Sequence, residues 1–399
     1  MNIALIIPSF YPATVYGGPI FSSLHTSEEL SKLENINIFV STTNANMKSR
    51  LDVETNKWIK FKNNFFIKYY NETKINFISL SLLFNLWKDI KQADIVHIQY
   101  IFNTTTPIAL LYATLFKKPI VLSPRGALCN WCLKQGSKFK KLWLYLFIKP
   151  FITRIHWHTT AQQEKEEVLI QFPKAKISIV PNGIELDKFQ FSNKLSKEEF
   201  SIKFAKQKLN IDKIIVSMGR LQKKKGFDIL IDSFNKLLKM YPHAKLFIAG
   251  EDESEGDTLR KQIENLNLKE KVFLIGSIHE QEKIDFLSNA DIFVLPSHNE
   301  NFGNVYIESL AVGTPIVASR GTPWSEVETY KCGKWVNNSI KETTKAMLEL
   351  LEEDTELMKI NSMKLSEKYD WKYIALKFQI LFKEEIDEHS KIKYIQTLS

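Results

Sequence analysis

The stretch 291–324, DIFVLPSHNENFGNVYIESLAVGTPIVASRGTPW, constrains this chain more than any other. Residues 292–295 form an apolar run that stops at Pro296, the pattern of a buried parallel strand. A polar loop follows. Residues 305–312 then place apolar side chains at helical spacing, Gly313, Thr314 and Pro315 end that helix, and 316–318 reads as a second strand. The loop carries Glu300, Gly303 stands just before the helix, and Glu308 lies about one turn into it. A glycine there lets a ligand reach the first amides of the helix, whose unpaired N–H groups and dipole favour a phosphate. Two carboxylates beside an anion site are not there for the anion. They suit hydroxyls, such as those of a ribose or a hexose. A Glu-x7-Glu spacing alone fits a surface helix with solvated glutamates, and the strand-loop-helix context with Gly303 tips the reading toward a ligand.

A length of 399 residues with 44% hydrophobic side chains is enough for two domains, each with its own core. The net charge of +9 is uneven. Residues 1–185 carry 22 Lys and Arg against 12 Asp and Glu, and 95–163 contains no acid but nine Lys or Arg. Such a face suits an anionic membrane surface, an acidic acceptor or a nucleic acid. Three cysteines fit a reducing compartment. Cys129 and Cys132 form a C-x-x-C without a matching second pair, so two half-buried thiols are favoured over a zinc or redox site. The opening MNIALIIPSFYP reads as a first strand and not as a signal peptide. Apolar runs such as 142–148 fall well short of the roughly 20 residues that span a bilayer. A cytoplasmic protein that touches a membrane is expected.

Taken in order, residues 3–7 are a buried strand, followed by a loop and a helical pattern over 20–33. The loop has no G-x-G-x-x-G, which speaks against a nicotinamide-dependent oxidoreductase. Gly17 and Gly18 fit either a backbone that comes close to a ligand or a plain turn. Residues 36–42, 94–99 and 119–123 read as strands, and 48–76, polar, aromatic and basic, is not assignable. His97 stands near a strand end, where both an acceptor-facing role and a place in the core are open. Arg125, between Pro124 and Gly126, is placed to pair with a phosphate and cannot serve as a general base. The stretch 134–154, from Lys134 to Arg154, interleaves basic residues with Trp143, Tyr145, Phe147 and Phe151. It reads as one amphipathic helix, with its apolar side toward either lipid or core. Nucleic acid is disfavoured, because no binding motif accompanies the charge. His156 and His158 share a strand face without a third ligand, so a metal site is not expected. Pro181, Asn182 and Gly183 suit a domain boundary.

In the second half, 213–218 is a strand, Gly219 and Arg220 close it, and Lys225 precedes Gly226 and a helix over 227–240. A guanidinium and an ammonium at a strand end suit a diphosphate leaving group, whose charge grows as its bond breaks. Strands at 244–249 and 271–275 follow, and 371–388 is an amphipathic helix. Strand-helix alternation throughout gives α/β architecture, two Rossmann-like doubly wound domains facing each other across a cleft.

These motifs carry a resemblance. Glu300-x7-Glu308 resembles the donor-site signature of the retaining glycosyltransferases of family 4, and Gly219-Arg220 through Lys225-Gly226 resembles their Gly-Arg-Leu-x-x-x-Lys-Gly. Gly17-Gly18 and Pro181-Asn182-Gly183 match the family's Gly-Gly loop and hinge, while Gly313-Thr-Pro and Pro124-Arg125-Gly126 resemble a bacterial polysaccharide-assembly subgroup. The sequence departs from better-known members at Arg125, where they carry a histidine near the reacting centre. The resemblance implies the GT-B fold, with 1–182 as acceptor domain, 183–370 as nucleotide-sugar domain, and the helix 371–399 returning to the first. It implies that Arg220 and Lys225 hold the diphosphate, Glu308 the ribose and Glu300 the sugar hydroxyls, with Glu300, Arg220 and Lys225 catalytic. Gly17, Gly18, Ile278, Asn301, Phe302, Gly303, Asn304 and Val305 complete the donor site, Ile278 lying in the loop that faces the base. Arg125 and His97 are the candidates for acceptor or phosphate. No metal or other cofactor is expected. The implied function is retaining transfer of a hexose or N-acetylhexosamine from a nucleotide-diphosphate sugar to a lipid-linked saccharide. That acceptor places the protein in bacterial surface polysaccharide (lipopolysaccharide or capsule) assembly, peripheral on the inner face of the cytoplasmic membrane through 134–154. The alternative is a membrane-surface module that binds a nucleotide sugar without turnover.

Overall fold

The computed structural model describes residues 1–72, 78–134, 137–189 and 191–398. The chain forms two compact units, Met1–Gly183 with Trp371–Ser399, and Ile184–Asp370.

In the second unit six parallel strands lie in the order Val272–Gly276, Lys245–Ala249, Ile214–Met218, Ile292–Leu295, Ile316–Ser319, Gly333–Val336. Strands such as IFVL at Ile292–Leu295 are apolar at every position because both faces are covered. The helix Phe227–Leu237 turns Phe227, Leu230, Ile231, Phe234 and Leu237 into the core at three- and four-residue spacing. A Ser196–Glu199 capping box starts the helix Lys197–Ala205, each side chain satisfying a backbone amide. The chain moves outward from Ile214–Met218 to one edge and then returns to its other flank with Ile292–Leu295. That reversal leaves a crevice beyond the carboxyl ends of these two strands, where their loops diverge.

In the first unit the order is Lys176–Ile179, Ile155–Thr159, Ile120–Ser123, Ile95–Gln99, Asn2–Ser9, Asn37–Thr43, Phe65–Tyr70, Trp58–Lys62. All pairs are parallel except the last. The segment 48–76, unassigned from sequence, supplies that edge hairpin, and 73–77 lie outside the described residues. The terminal helix runs from Trp371 to Leu398, extending beyond the amphipathic 371–388, with residue 399 outside the described residues. Its Ile374, Phe378, Leu381 and Phe382 join the core formed by Ile3, Leu5 and Ile38. Gly183 seats the helix: a Cβ there would lie 2.5 Å from Trp371 Cδ2.

The single helix expected over 134–154 is instead a broken path. Short helices Asn130–Lys134 and Ser137–Trp143 lead to a wide turn, Leu144–Ile148, and a tight one, Lys149–Arg154; 135 and 136 lie outside the described residues. Pro150 lacks the amide that a continuous helix needs. Leu144 and Ile148 are buried, whereas Phe139, Leu142, Tyr145, Leu146 and Phe147 are exposed, so only part of the apolar side is core. No helix among the described residues is long and apolar enough to cross a membrane.

Candidate functional site

The second unit's crevice is built by two loops at the ends of neighbouring strands. Pairing of Ile215 with Ile292 sets these strand ends level. His298 donates its amide to the Lys224 carbonyl at 2.8 Å. Gly226, at φ +69°, passes so close to Pro296 that a Cβ would stand 2.2 Å from its carbonyl oxygen. This contact and this φ together demand glycine. Lys225 therefore meets Glu300: Nζ donates to Oε1 at 2.5 Å, and Ser297 Oγ donates to the same oxygen at 2.9 Å. Both side chains are largely buried. Burial pushes the Glu300 carboxyl up, but the charges of Lys225 and Lys224 and the bonds from Lys225 and Ser297 outweigh it. The group stays ionised, below its ordinary value.

A second layer fixes the Glu300 loop. The Glu300 amide donates to the Gly321 carbonyl at 2.9 Å. The indole of Trp324 donates to the Phe302 carbonyl at 2.7 Å, and Trp335 holds the Thr322 carbonyl at 2.9 Å. The 321–324 segment is thus a brace for the loop, a role that its sequence did not announce. Gly303, at φ +77°, caps the helix Asn304–Ala311 and starts its amide ladder. A Cβ there would lie 2.7 Å from Tyr306 Cδ2.

The other charged candidates are held by partners that sequence reasoning missed. Glu308 accepts from Lys283 Nζ at 2.8 Å, and Arg220 Nη1 donates to Glu253 Oε1 at 2.7 Å. Arg220 is half exposed and Glu253 also receives Gln222. Nothing in HEQEK or in the acidic 251–257 loop marked these two residues. Both meet their partners because the fold sets the helix Glu280–Ser288 against Glu308 and the 251–253 turn against Arg220. The structure brings Lys225 and Glu300 together and leaves Arg220 and Glu308 each with a separate counter-ion. Ile278 and Phe302, from the expected donor set, have side chains buried in the core, Phe302 against Trp324 and Tyr369. Asn301, Asn304 and Val305 are half-buried on the site's helix start.

In the first unit Gly17, at φ +77° with open space where a Cβ would be, starts the helix Gly18–Lys32 together with Gly18. Its glycine is required by backbone angle and not by clearance. Arg125, at φ +56°, donates to Gln99 Oε1 at 2.6 Å and to Asn182 Oδ1 at 3.1 Å. Its turn is pinned by buried Glu164, which accepts the Gly126 amide at 2.6 Å. His97 belongs to the core. It lies 2.8 Å from Ser123 Oγ, among the rings of Phe378 and Phe382, and burial, with His158 and Arg125 nearby, holds it neutral. That environment is made in part by a helix nearly three hundred residues away. His156 is tied to Glu385 and His158 to Ser123, and no disulfide joins the three cysteines. Among the described residues no group of three or more His, Cys, Asp or Glu is placed to hold a metal ion.

Two family models match the chain, one described as Glycosyltransferase Family 4 over residues 14–188 and one as Glycosyl transferases group 1 over 199–367. Mannosylfructose-phosphate synthase of Agrobacterium fabrum is 31% identical over 163 residues, 38% of this chain and 35% of that protein. Alpha-monoglucosyldiacylglycerol synthase of Streptococcus pneumoniae is 26% identical over 239 residues, 58% of this chain and 53% of that protein. The chain thus spans about a third to a half of the length of these relatives. Among solved structures, Anabaena Alr3699/HepE in complex with UDP superposes with a TM-score of 0.73 at 15% identity, covering 96% of this chain and all of that one. The likeness establishes the GT-B fold.

Proposed function

The chain belongs to the glycosyltransferases that these two models describe, and we propose that it moves a hexose or N-acetylhexosamine from a nucleotide-diphosphate sugar to a lipid-linked saccharide. The observation that carries this reading is the Lys225–Glu300 pair in the crevice of the second unit, beside the start of the helix Asn304–Ala311. A buried ammonium and helix amides meet a diphosphate, and ionised carboxylates next to them meet hydroxyls.

In this reading Lys225 and Arg220 hold the diphosphate, with Arg220 turning from its exposed partner Glu253, a pair too solvated to resist. Glu308, oriented by Lys283, takes the ribose hydroxyls, Glu300 orients the sugar, and the 303–305 amides cap the phosphate. In the first unit, Arg125 serves the acceptor or its phosphate. The sugar's bond to the diphosphate breaks, the acceptor oxygen bonds to the same carbon from the same face, and its proton passes to the leaving phosphate oxygen. Configuration is retained. Fixed cations stabilise the growing charge without a metal, and losing one such group costs about 10²–10³ in rate. The HepE complex with UDP supports the donor class, and a relative named for a glucosylated diacylglycerol supports a lipid-borne acceptor. The exposed aromatic and basic side chains of 134–154 support an anionic membrane surface as partner, at the cytoplasmic face, in bacterial surface polysaccharide assembly.

The test is transfer of labelled sugar from a nucleotide donor into a bacterial lipid extract, with the anomeric configuration of the product read by NMR. Transfer with retention that Glu300→Gln abolishes supports the reading. Donor binding without transfer in the wild type points to the membrane-surface binding module instead.

A further inference from the structure

A cavity of about 370 Å3 opens in the first unit, on the edge where three neighbouring parallel strands begin. Lys117 and Lys118 lead into Ile120–Ser123, Arg154 into Ile155–Thr159, and Lys174 precedes Lys176–Ile179. Neighbouring strands lie about 4.8 Å apart, so the entries to three of them gather these cations around one concavity. Arg125 and Asn182 follow the opposite ends of the same strands. The cavity is therefore separate from the loops already described.

Its charge is not balanced from within. The terminal helix brings Glu385 and Glu388 to the wall, and both are engaged by Lys176, with Glu385 also 2.7 Å from His156 Nδ1. Lys117, Arg154 and Lys174 have no acid partner among the described residues. Three uncompensated cations around one hollow repel each other unless an anion joins them. A guanidinium fork with two flexible ammonium groups matches the oxygens of a phosphate. The tight turn that supplies Arg154 continues directly from Tyr145, Leu146 and Phe147, all exposed. Exposed apolar side chains a few residues ahead of Arg154 in the chain, together with an anion-binding hollow, fit a phospholipid.

We propose that this cavity binds a phosphate-bearing anion, and that the exposed apolar residues preceding Arg154 in the chain favour a phospholipid headgroup over a free phosphate. The site stands apart from the sugar-transfer reading, since it needs no donor and uses none of the second unit's residues.

The test uses the full chain without any sugar donor. Sedimentation with phosphatidylglycerol and with phosphatidylcholine vesicles reads the lipid arm, and calorimetry with inorganic phosphate reads the soluble arm. The variant K117A/R154A/K174A is expected to bind phosphatidylglycerol vesicles on the order of a hundredfold more weakly than wild type. The double variant K117A/K174A, at two exposed side chains, is expected to lose on the order of tenfold. Unchanged circular dichroism and melting temperature keep the comparison clean. Phosphate binding that the triple variant loses, with vesicle binding unchanged, supports the site with a soluble ligand. Equal behaviour of wild type and variants toward both ligands overturns the proposal, as does a wild type that binds neither. UDP binding measured in the same preparations reports on the donor reading separately.

Discussion

Replacing Lys225 by methionine isolates what holds Glu300 ionised. In the wild type, burial raises that carboxyl, and the Lys225 and Lys224 charges with two hydrogen bonds pull it further down. A folded-state value below the unfolded one, about 4.3 for Glu, adds stability that is present above pH 4.3 and lost as pH falls through the folded value. With the nearest cation removed, burial dominates and the sign reverses, so the variant's stability falls as pH rises. Breaking a buried pair by removing one partner costs about 3–5 kcal/mol, and side-chain exposures of 15% and 10% leave little solvent screening to reduce it. The loss is expected at pH 7 and is expected to shrink toward pH 4, where the stranded carboxyl takes up a proton. Adding Glu300→Gln to Lys225→Met is expected to restore about 2 kcal/mol at pH 7, because a neutral amide needs no counter-ion. Urea titrations of wild type, both single variants and the double variant at pH 7 and pH 4 measure this cycle. A loss below about 1 kcal/mol at pH 7, or an equal loss at both pH values, refutes the reasoning.

Glu253→Gln is expected to leave stability within about 0.5 kcal/mol, as for exposed pairs, while tightening nucleotide-diphosphate binding several-fold by freeing Arg220; calorimetry with UDP and GDP checks both the direction and the donor base. Lys283→Ala is expected to weaken nucleotide binding about tenfold by releasing the Glu308 carboxylate from its fixed position, one hydrogen-bonded contact's worth, with nucleoside monophosphates showing the same loss. Gly226→Ala is expected to lower stability by at least about 2 kcal/mol, since it combines left-handed backbone with a clash against rigid carbonyl. Gly303→Ala shares the left-handed backbone but clashes with the Tyr306 side chain and not with a backbone carbonyl, and is expected to cost less; melting temperatures rank the two.

The strands and their order of appearance were legible because parallel strands covered on both faces are apolar at every position, as in Ile214–Met218 and Ile292–Leu295. Glu300, Lys225 and Gly303 were legible because their spacing around a strand end is itself the chemistry. The edge hairpin was not. Trp58–Lys62 places lysines among aromatic and aliphatic residues, and three of its five residues face solvent. The break in 134–154 depends on which apolar residues find core, and that is decided by elements distant in the chain. His97 shows the same limit, since Phe378 and Phe382 settle its place. Lys283 and Glu253 escaped notice because a lone lysine on an acid-rich helix and an acid in a charged loop look solvated until the fold sets them opposite Glu308 and Arg220.

The most direct test is nucleotide release by the purified chain, offered UDP-, GDP-, ADP- and TDP-sugars with bacterial lipid extract, with and without EDTA. Release from one donor, raised by the extract, indifferent to EDTA and reduced at least about a hundredfold in Glu308→Ala, is the result expected of a metal-independent transferase with its donor site in the second unit. Tight binding of a donor with no release under any condition contradicts it.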